Sequence, residues 1–338
     1  MSHPSKKRSP SRRALLRAAA GLALVLGLSA CAAGSQGPGA AEASETPDPV
    51  GAPVIKDDFP DPDVLYADDT YYLYATNGDY QNVQVASSKD LEEWTQLEED
   101  ALPEPPKWVI PGKTWAPEVT EITPGNFVMY FTAANYRPTV QCIGVATSTS
   151  PTGPFTVQGE AMLVCPAEEG GAIDASTYAE NGTTYLLWKN DGNCCGLDTW
   201  LYSAPLSPDG LTLAGPAQQI IKQTLPWEGE LVEAPTLVKQ GPTYYLFYSA
   251  NTYGDENYAV GYATATSLAG PWTKKEEPFL STDSEDGLFR GPGGQDVVQG
   301  QDGEHRLVFH GWDKDYTYRA VYAEPLEWTP SGPDLRPD

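Results

Sequence analysis

Basic residues are scarce in this chain. Its 338 residues hold 21 Lys and Arg against 46 Asp and Glu, a formal net charge of −25. Lys6, Lys7, Arg8, Arg12, Arg13 and Arg17 all precede the first acid, so the remainder is more acidic still. Such a balance disfavours nucleic acid and anionic membrane surfaces as direct partners and suits a neutral ligand. Histidine is scarcer, with three in all and none grouped with the cysteines, which argues against a zinc site. The apolar run from Ala18 to Ala30 is too short to read as a membrane span. Sustained helical periodicity is missing after residue 50, which argues against an α/β fold.

The N-terminus offers a leader instead. Ser11-Arg12-Arg13-Ala14-Leu15-Leu16-Arg17 resembles a twin-arginine export signal. Leu28-Ser29-Ala30-Cys31 resembles the lipobox of bacterial lipoproteins. Residues 1–31 are therefore expected to be a signal peptide, with Cys31 the lipidated first residue of the exported chain. That places the protein at the outer face of the cytoplasmic membrane, touching it through the lipid only; plain secretion is the competing reading. Residues 32–51, rich in Ala, Gly, Pro, Ser and Glu, read as a flexible tether. Export permits disulfides. Four cysteines besides Cys31 allow three pairings. Cys142 opens a strand and Cys165 follows the last strand of the same repeat, which favours a Cys142–Cys165 bond. The adjacent Cys194 and Cys195 either bond each other or stay reduced.

Residues 52–330 repeat. Short aromatic-rich runs such as Tyr71-Tyr72-Leu73-Tyr74, Phe127-Val128-Met129-Tyr130-Phe131 and Tyr244-Tyr245-Leu246-Phe247-Tyr248 recur between Gly, Pro, Asp and Asn turns. The units start near 61, 115, 174, 233 and 293, and Gly-Pro-Phe-Thr and Gly-Pro-Trp-Thr turns mark the same register. A fixed period of this size is the mark of repeat architectures, and four short strands per unit describe propeller blades. The expectation is an all-β, five-bladed β-propeller forming a single domain. An evenly spaced β-sandwich is the alternative. The second-strand aromatics, Trp188 and Tyr245 among them, are expected in the core.

In this alignment three carboxylates occupy one place: Asp61 in Phe59-Pro60-Asp61-Pro62-Asp63, Asp174 in Ile173-Asp174-Ala175, and Glu233 in Val232-Glu233-Ala234-Pro235. The first strand of a blade lines the central channel, so these acids converge on one axis. Converging carboxylates are what glycoside hydrolysis uses. The blade pattern and the three acid motifs resemble glycoside hydrolase family 43, over about residues 52–328. Trp115-Ala116-Pro117-Glu118 also matches a common motif of that family.

The resemblance implies an inverting enzyme acting on α-L-arabinofuranosyl linkages in a plant cell-wall oligo- or polysaccharide, working as a monomer. Asp61 would be the general base, Glu233 the general acid, and Asp174 the residue that tunes and orients Glu233. Many family members carry a His in the Gly-Pro-Gly turn of blade five that helps hold a metal. Here the run is Gly291-Pro292-Gly293-Gly294-Gln295, which puts a channel-bound calcium in doubt, and no cofactor is required. Phe59, Trp115, Arg290 and Gln295 are the expected substrate contacts; His310 is expected to be structural. Asp63 and Glu118 are expected in turns or at the surface. Competing functions are a β-xylosidase of the same family, a retaining propeller fructosidase, and a sugar-binding lipoprotein without catalysis. The fructosidase would show an Asn-Asp-Pro-Asn-Gly start where this chain has Pro60-Asp61-Pro62-Asp63. The binding protein would not need all three acids.

Overall fold

Aromatic and β-branched runs of five to ten residues, broken by left-handed Asp, Asn and Gly turns, give this chain only strands to build with. The computed structural model describes residues 51–284 and 287–335. The leader, Cys31 and the tether up to residue 50 lie outside them. Five four-stranded antiparallel sheets follow one another along the chain, with no α-helix among the described residues. Blade one is β1 (Asp63–Ala67), β2 (Thr70–Ala75), β3 (Gln84–Ser88) and β4 (Trp94–Gln96). Blade two is β5 (Val109–Thr123), β6 (Asn126–Asn135), β7 (Gln141–Ser148) and β8 (Thr156–Val157). Blade three is β9 (Ala172–Glu180), β10 (Thr183–Asn190), β11 (Trp200–Pro205) and β12 (Gln218–Lys222). Blade four is β13 (Val232–Gln240), β14 (Thr243–Ala250), β15 (Ala259–Ala265) and β16 (Thr273–Lys274). Blade five is β17 (Gly293–Gln299), β18 (His305–Trp312), β19 (Arg319–Thr329) and β20 (Gly332–Leu335).

The expected boundary falls short at one end. Trp328 and Thr329 end the long β19, which turns at Thr329–Gly332 into β20, so the last sheet runs to Leu335 and past residue 330.

Side chains alternate across each sheet, so every blade buries both faces. The result is five apolar clusters, one at each blade interface. Leu186 faces blade two and packs with Val128 and Tyr130, while its neighbour Leu187 faces blade four and packs with Val232 and Leu246. Trp188 sits in the first of these clusters, and Tyr245 packs against the cluster between blades four and five. Phe59 belongs to the cluster between blades five and one, only 2% exposed against Tyr71, Leu73 and Val308. The expectation that it walls a substrate pocket is wrong, because the chain entering blade one is pinned down over the core. Val54 and Ile55 hydrogen-bond Val321 of β19, tying the start of the domain to its last blade.

Around the axis the ring is stitched by polar side chains. Val119 N–H donates to Asp63 (2.8 Å), Thr177 N–H to Glu118 (2.8 Å) and Val64 N–H to Asp296 (2.9 Å). The Ser176 hydroxyl donates to the Pro235 carbonyl, and the Thr236 hydroxyl to the Gln295 carbonyl. Each stitch runs from one blade to the next, and the five close a circle. Asp63 and Glu118 are therefore not the turn or surface residues expected of them. They sit in the axial channel because each places one carboxylate oxygen on a neighbouring backbone N–H.

That placement predicts a pH effect on stability. Burial, with the charge of Asp296, pushes the Glu118 carboxyl up from 4.5 to about 7. Burial, then Glu118 and Asp296, pushes Asp63 up as well. A carboxyl raised in the folded state binds its proton more tightly there than in the unfolded chain. Its contribution is full below pH 4.5 and is lost as pH rises toward 7. Unfolding free energy should fall across this window by up to about 1.4 kcal/mol per pH unit. Glu118→Gln keeps an acceptor for Thr177 and should flatten the slope. Urea melts at pH 5 and pH 7 measure it, and a wild-type curve that rises across the window would refute the account.

Two disulfides are present. Cys142–Cys165 joins β7 to the segment after β8, as expected, over a separation of 23 residues. The second joins Cys194 to Cys195. Loop-closure entropy makes the first the one that matters: replacing both of its cysteines with Ala should cost about 2–4 kcal/mol, read from denaturant melts of oxidised protein.

Candidate active site

One backbone conformation recurs in or just ahead of every blade's inner strand. Asp61, Ala116, Asp174, Ala234 and Gly294 all have left-handed backbones, with φ of 58°, 40°, 55°, 49° and 56°. The pairing slips there in blades two to five, as it does at a β-bulge. Left-handed geometry costs a non-glycine residue about 1–2 kcal/mol, so four such residues on one ring mark a constrained place. At the fifth, a Cβ on Gly294 would lie 2.7 Å from the His310 ring and 2.9 Å from Asp61 Oδ1, so only glycine fits.

This ring corrects the expected equivalence. Asp61 and Asp174 are the bulged residues of their blades. Glu233 and Trp115 each stand one residue earlier, beside the bulged Ala234 and Ala116. Glu233 thus reaches the axis from a different backbone site, with a side chain one methylene longer.

In four of the five blades the end of the second strand supports the next blade's inner strand. Ala116 N–H donates to the Thr76 hydroxyl (2.9 Å), Asp174 N–H to Thr132 (3.1 Å), Gly294 N–H to Ser249 (2.9 Å) and Asp61 N–H to His310 Nδ1 (3.1 Å). The Ala234 N–H donates to Asp174 Oδ2 instead (3.1 Å).

The three acids open into one cleft of about 290 Å³. Asp61 accepts from the Thr76 hydroxyl at 2.6 Å and faces Arg319 at 3.6 Å. Burial raises its carboxyl, but Arg319, His310 and Thr76 together pull it further the other way, leaving it below the usual range. His310 lies 3.3 Å from Asp61 without pairing with it as an ion, because burial pushes the imidazole down to about 3. Its ring stacks on Tyr258.

Glu233 is 8% exposed and held at both oxygens, Oε1 by the Tyr258 hydroxyl (2.9 Å) and Oε2 by Lys189 Nζ (2.9 Å). Burial and then the Glu233 charge hold the Asp174 carboxyl well above the ordinary range. The cleft thus sets an acid kept ionised, Asp61, opposite Asp174, whose buried carboxyl is disposed to keep its proton, with Glu233 beside it.

Of the expected contacts, Trp115 lines the cleft. Arg290 does not, because its backbone carbonyl is tied to Trp312 N–H at the edge of blade five. Arg319 of β19 provides the guanidinium instead, flanked by the rings of Tyr253 (4.9 Å) and Trp312 (5.7 Å). Gln295 is buried in the channel, and both ends of its amide are used: Oε1 accepts from Ser249 and Nε2 donates to the Ala234 carbonyl. It lines the axial channel and not the cleft that holds the three acids. Lys189, Asp191, Tyr253, Tyr258 and Arg319 line the cleft without having been singled out from the sequence.

Residues 50–333 match the sequence profile described as Glycosyl hydrolases family 43. The chain belongs to that family. Among the relatives of this family 43 chain is an extracellular exo-α-(1→5)-L-arabinofuranosidase of Streptomyces avermitilis, 26% identical over 79% of this chain and 56% of its own length. Another is the extracellular endo-α-(1→5)-L-arabinanase 1 of Bacillus subtilis, 25% identical over 81% of this chain and 86% of its own. The chain spans about half the length of the first of these. The crystal structure of a thermostable family-43 glycoside hydrolase superposes with a TM-score of 0.73 at 30% identity, over 86% of this chain and 95% of that one. An endo-1,4-β-xylanase structure from Bacteroides thetaiotaomicron follows at 0.70 and 29%, over 85% and 97%.

Proposed function

We propose that the protein hydrolyses α-L-arabinofuranosyl linkages of a plant cell-wall polysaccharide by inversion. The observation that carries this is the meeting of Asp61, Asp174 and Glu233 in one cleft, with Asp61 held ionised opposite the other two. Asp61 takes a proton from water as that water attacks the anomeric carbon. Glu233 gives its proton to the departing glycosidic oxygen, and Asp174, bonded to the Ala234 N–H next to it, orients that acid. Trp115 stacks on a sugar ring. Gln295 is held by Ser249 and the Ala234 carbonyl, and no step needs a metal.

The arabinosyl choice rests on the named activities of the relatives; the xylanase among the structural neighbours keeps β-xylosides as the second reading. A polymeric substrate is supported by the rim. Tyr80, Tyr136, Leu197, Tyr253 and Tyr316 are all exposed, one on each loop between the second and third strands of a blade. These loops lie at the end of the propeller where the cleft opens, and exposed aromatic faces suit a neutral sugar chain. Export and anchoring rest on the leader alone. Mass spectrometry of the exported chain tests them, and an unmodified Cys31 rules the anchor out.

The deciding experiment follows hydrolysis of linear arabinan, 4-nitrophenyl α-L-arabinofuranoside and 4-nitrophenyl β-D-xyloside by NMR. Arabinose-containing product released first as the β anomer supports the proposal. Cleavage of the xyloside alone, or product retaining the α configuration, overturns it. The sizes of the first products from arabinan separate attack within the chain from attack at its end.

A further inference from the structure

Five residues hold equivalent places at the top of the second strands: Thr76, Thr132, Lys189, Ser249 and His310. Thr132, Lys189, Ser249 and His310 face Trp115, Ile173, Glu233 and Gly293 across the ladder, and Thr76 N–H bonds the Pro60 carbonyl in the same register. Four of the five accept the bulge N–H of the following blade. Lysine cannot, since an ammonium has three donors and no acceptor. At this one interface the ring is broken, and the stranded Ala234 N–H turns to Asp174.

The lysine is fully buried, 2.9 Å from Glu233 Oε2 and 3.6 Å from Asp191 Oδ1. Burying a charge costs several kcal/mol unless close partners offset it. A threonine or serine would have completed the ring without that cost. The place where the fold departs from its own repeat is the place that touches Glu233. Resting on the reading of Glu233 as the acid, we propose that Lys189 is a positioning residue of this site, holding the Glu233 carboxyl by one oxygen and leaving the other to Tyr258 and the reaction.

A consequence is a lower working pH. The groups facing Glu233 are Lys189 on β10, Asp174 on β9, Tyr258 ahead of β15, and Asp191 just past β10, with Asp61 and Arg319 sharing the cleft. Lys189 is the cation that touches Glu233, so removing its charge should carry the alkaline limb of the rate profile upward.

Lys189→Thr tests this, because it supplies the acceptor that blades one and two use and so favours folding. Its kcat should fall about tenfold or more as the carboxyl loses its hold. Its alkaline pH limb should move up by about one to two units. Lys189→Arg, which keeps the charge, should leave that limb in place. A Lys189→Thr protein with wild-type kcat and an unmoved limb overturns the proposal. So does failure of both variants to fold, which would make the lysine a structural cation only. Glu233→Gln measured alongside separates the two readings: if it stays active the acid assignment fails, and if it is dead while the limb is unmoved only the role of Lys189 fails.

Discussion

Glu233→Gln should lose about 10²–10⁴-fold in kcat on arabinan, the usual worth of a positioned proton donor. A thousandfold loss is about 4 kcal/mol of transition-state stabilisation. The substitution is nearly isosteric, and the amide oxygen can still accept from Lys189 or Tyr258. Lys189 keeps Asp191 at 3.6 Å and the nearby Asp174 as charge partners, so the fold should hold. What goes is the proton for the leaving oxygen. An arabinan alkoxide leaves poorly without it, whereas a 4-nitrophenolate leaves well. The loss should therefore be far smaller on the nitrophenyl arabinoside, measured as the ratio of the two kcat/KM values for wild type and variant. Equal losses on both would remove Glu233 from the role of acid and leave it a binding residue.

The blades were legible because strand period, turn residues and unit length agree at every repeat, and one domain of five sheets is what those local choices allow. The ring of acids was legible only to within one residue. Aligning the units on their acids puts Asp61 with Glu233; aligning them on Pro62, Pro117 and Pro235 puts Asp61 with Ala116 and Ala234, as the bulges do. The second alignment also assigns the stitches, since Asp63, Glu118, Ser176, Thr236 and Asp296 all fall two places beyond it. Two acids that looked like surface charge were thereby a readable part of the frame.

The side chains that complete the cleft were harder to find. Lys189 follows Trp188 at the end of an apolar strand, where a lysine ordinarily marks the return to solvent. Its burial depends on Glu233, 44 residues later, and on Asp174 from another strand. Arg290 and Arg319 are equally plausible as arginines of blade five. Which one faces Asp61 is decided by β19 running inward beside Phe59 and Ile55, a contact between the two ends of the domain. Phe59 was misjudged for the same reason, since proximity to Asp61 in sequence says nothing about which side of the bulge it packs on.

Asp61→Asn is the second large loss, and its pattern should differ. Asparagine tolerates the left-handed backbone that Asp61 adopts at φ 58°. Its amide oxygen can still accept from the Thr76 hydroxyl, so the bulge should survive. What it cannot do is take a proton from water. The fall in kcat, again about 10²–10⁴-fold, should be the same for arabinan and for the nitrophenyl arabinoside, because leaving-group quality does not help a water that is not activated. Azide needs no deprotonation and should restore part of the rate on the nitrophenyl substrate, giving the inverted glycosyl azide. A retained azide product would mean two displacements through a covalent intermediate on another residue, with Asp61 the acid/base of a retaining enzyme and not the base of an inverting one. The pH profile gives an independent check. Arg319 and Thr76 keep the carboxyl below its ordinary range, so the wild-type acid limb should lie lower than an unperturbed aspartate would set it. Arg319→Met removes the guanidinium, and the acid limb should then move upward while the alkaline limb stays. An acid limb indifferent to Arg319 would mean that some other group, and not Asp61, activates the water.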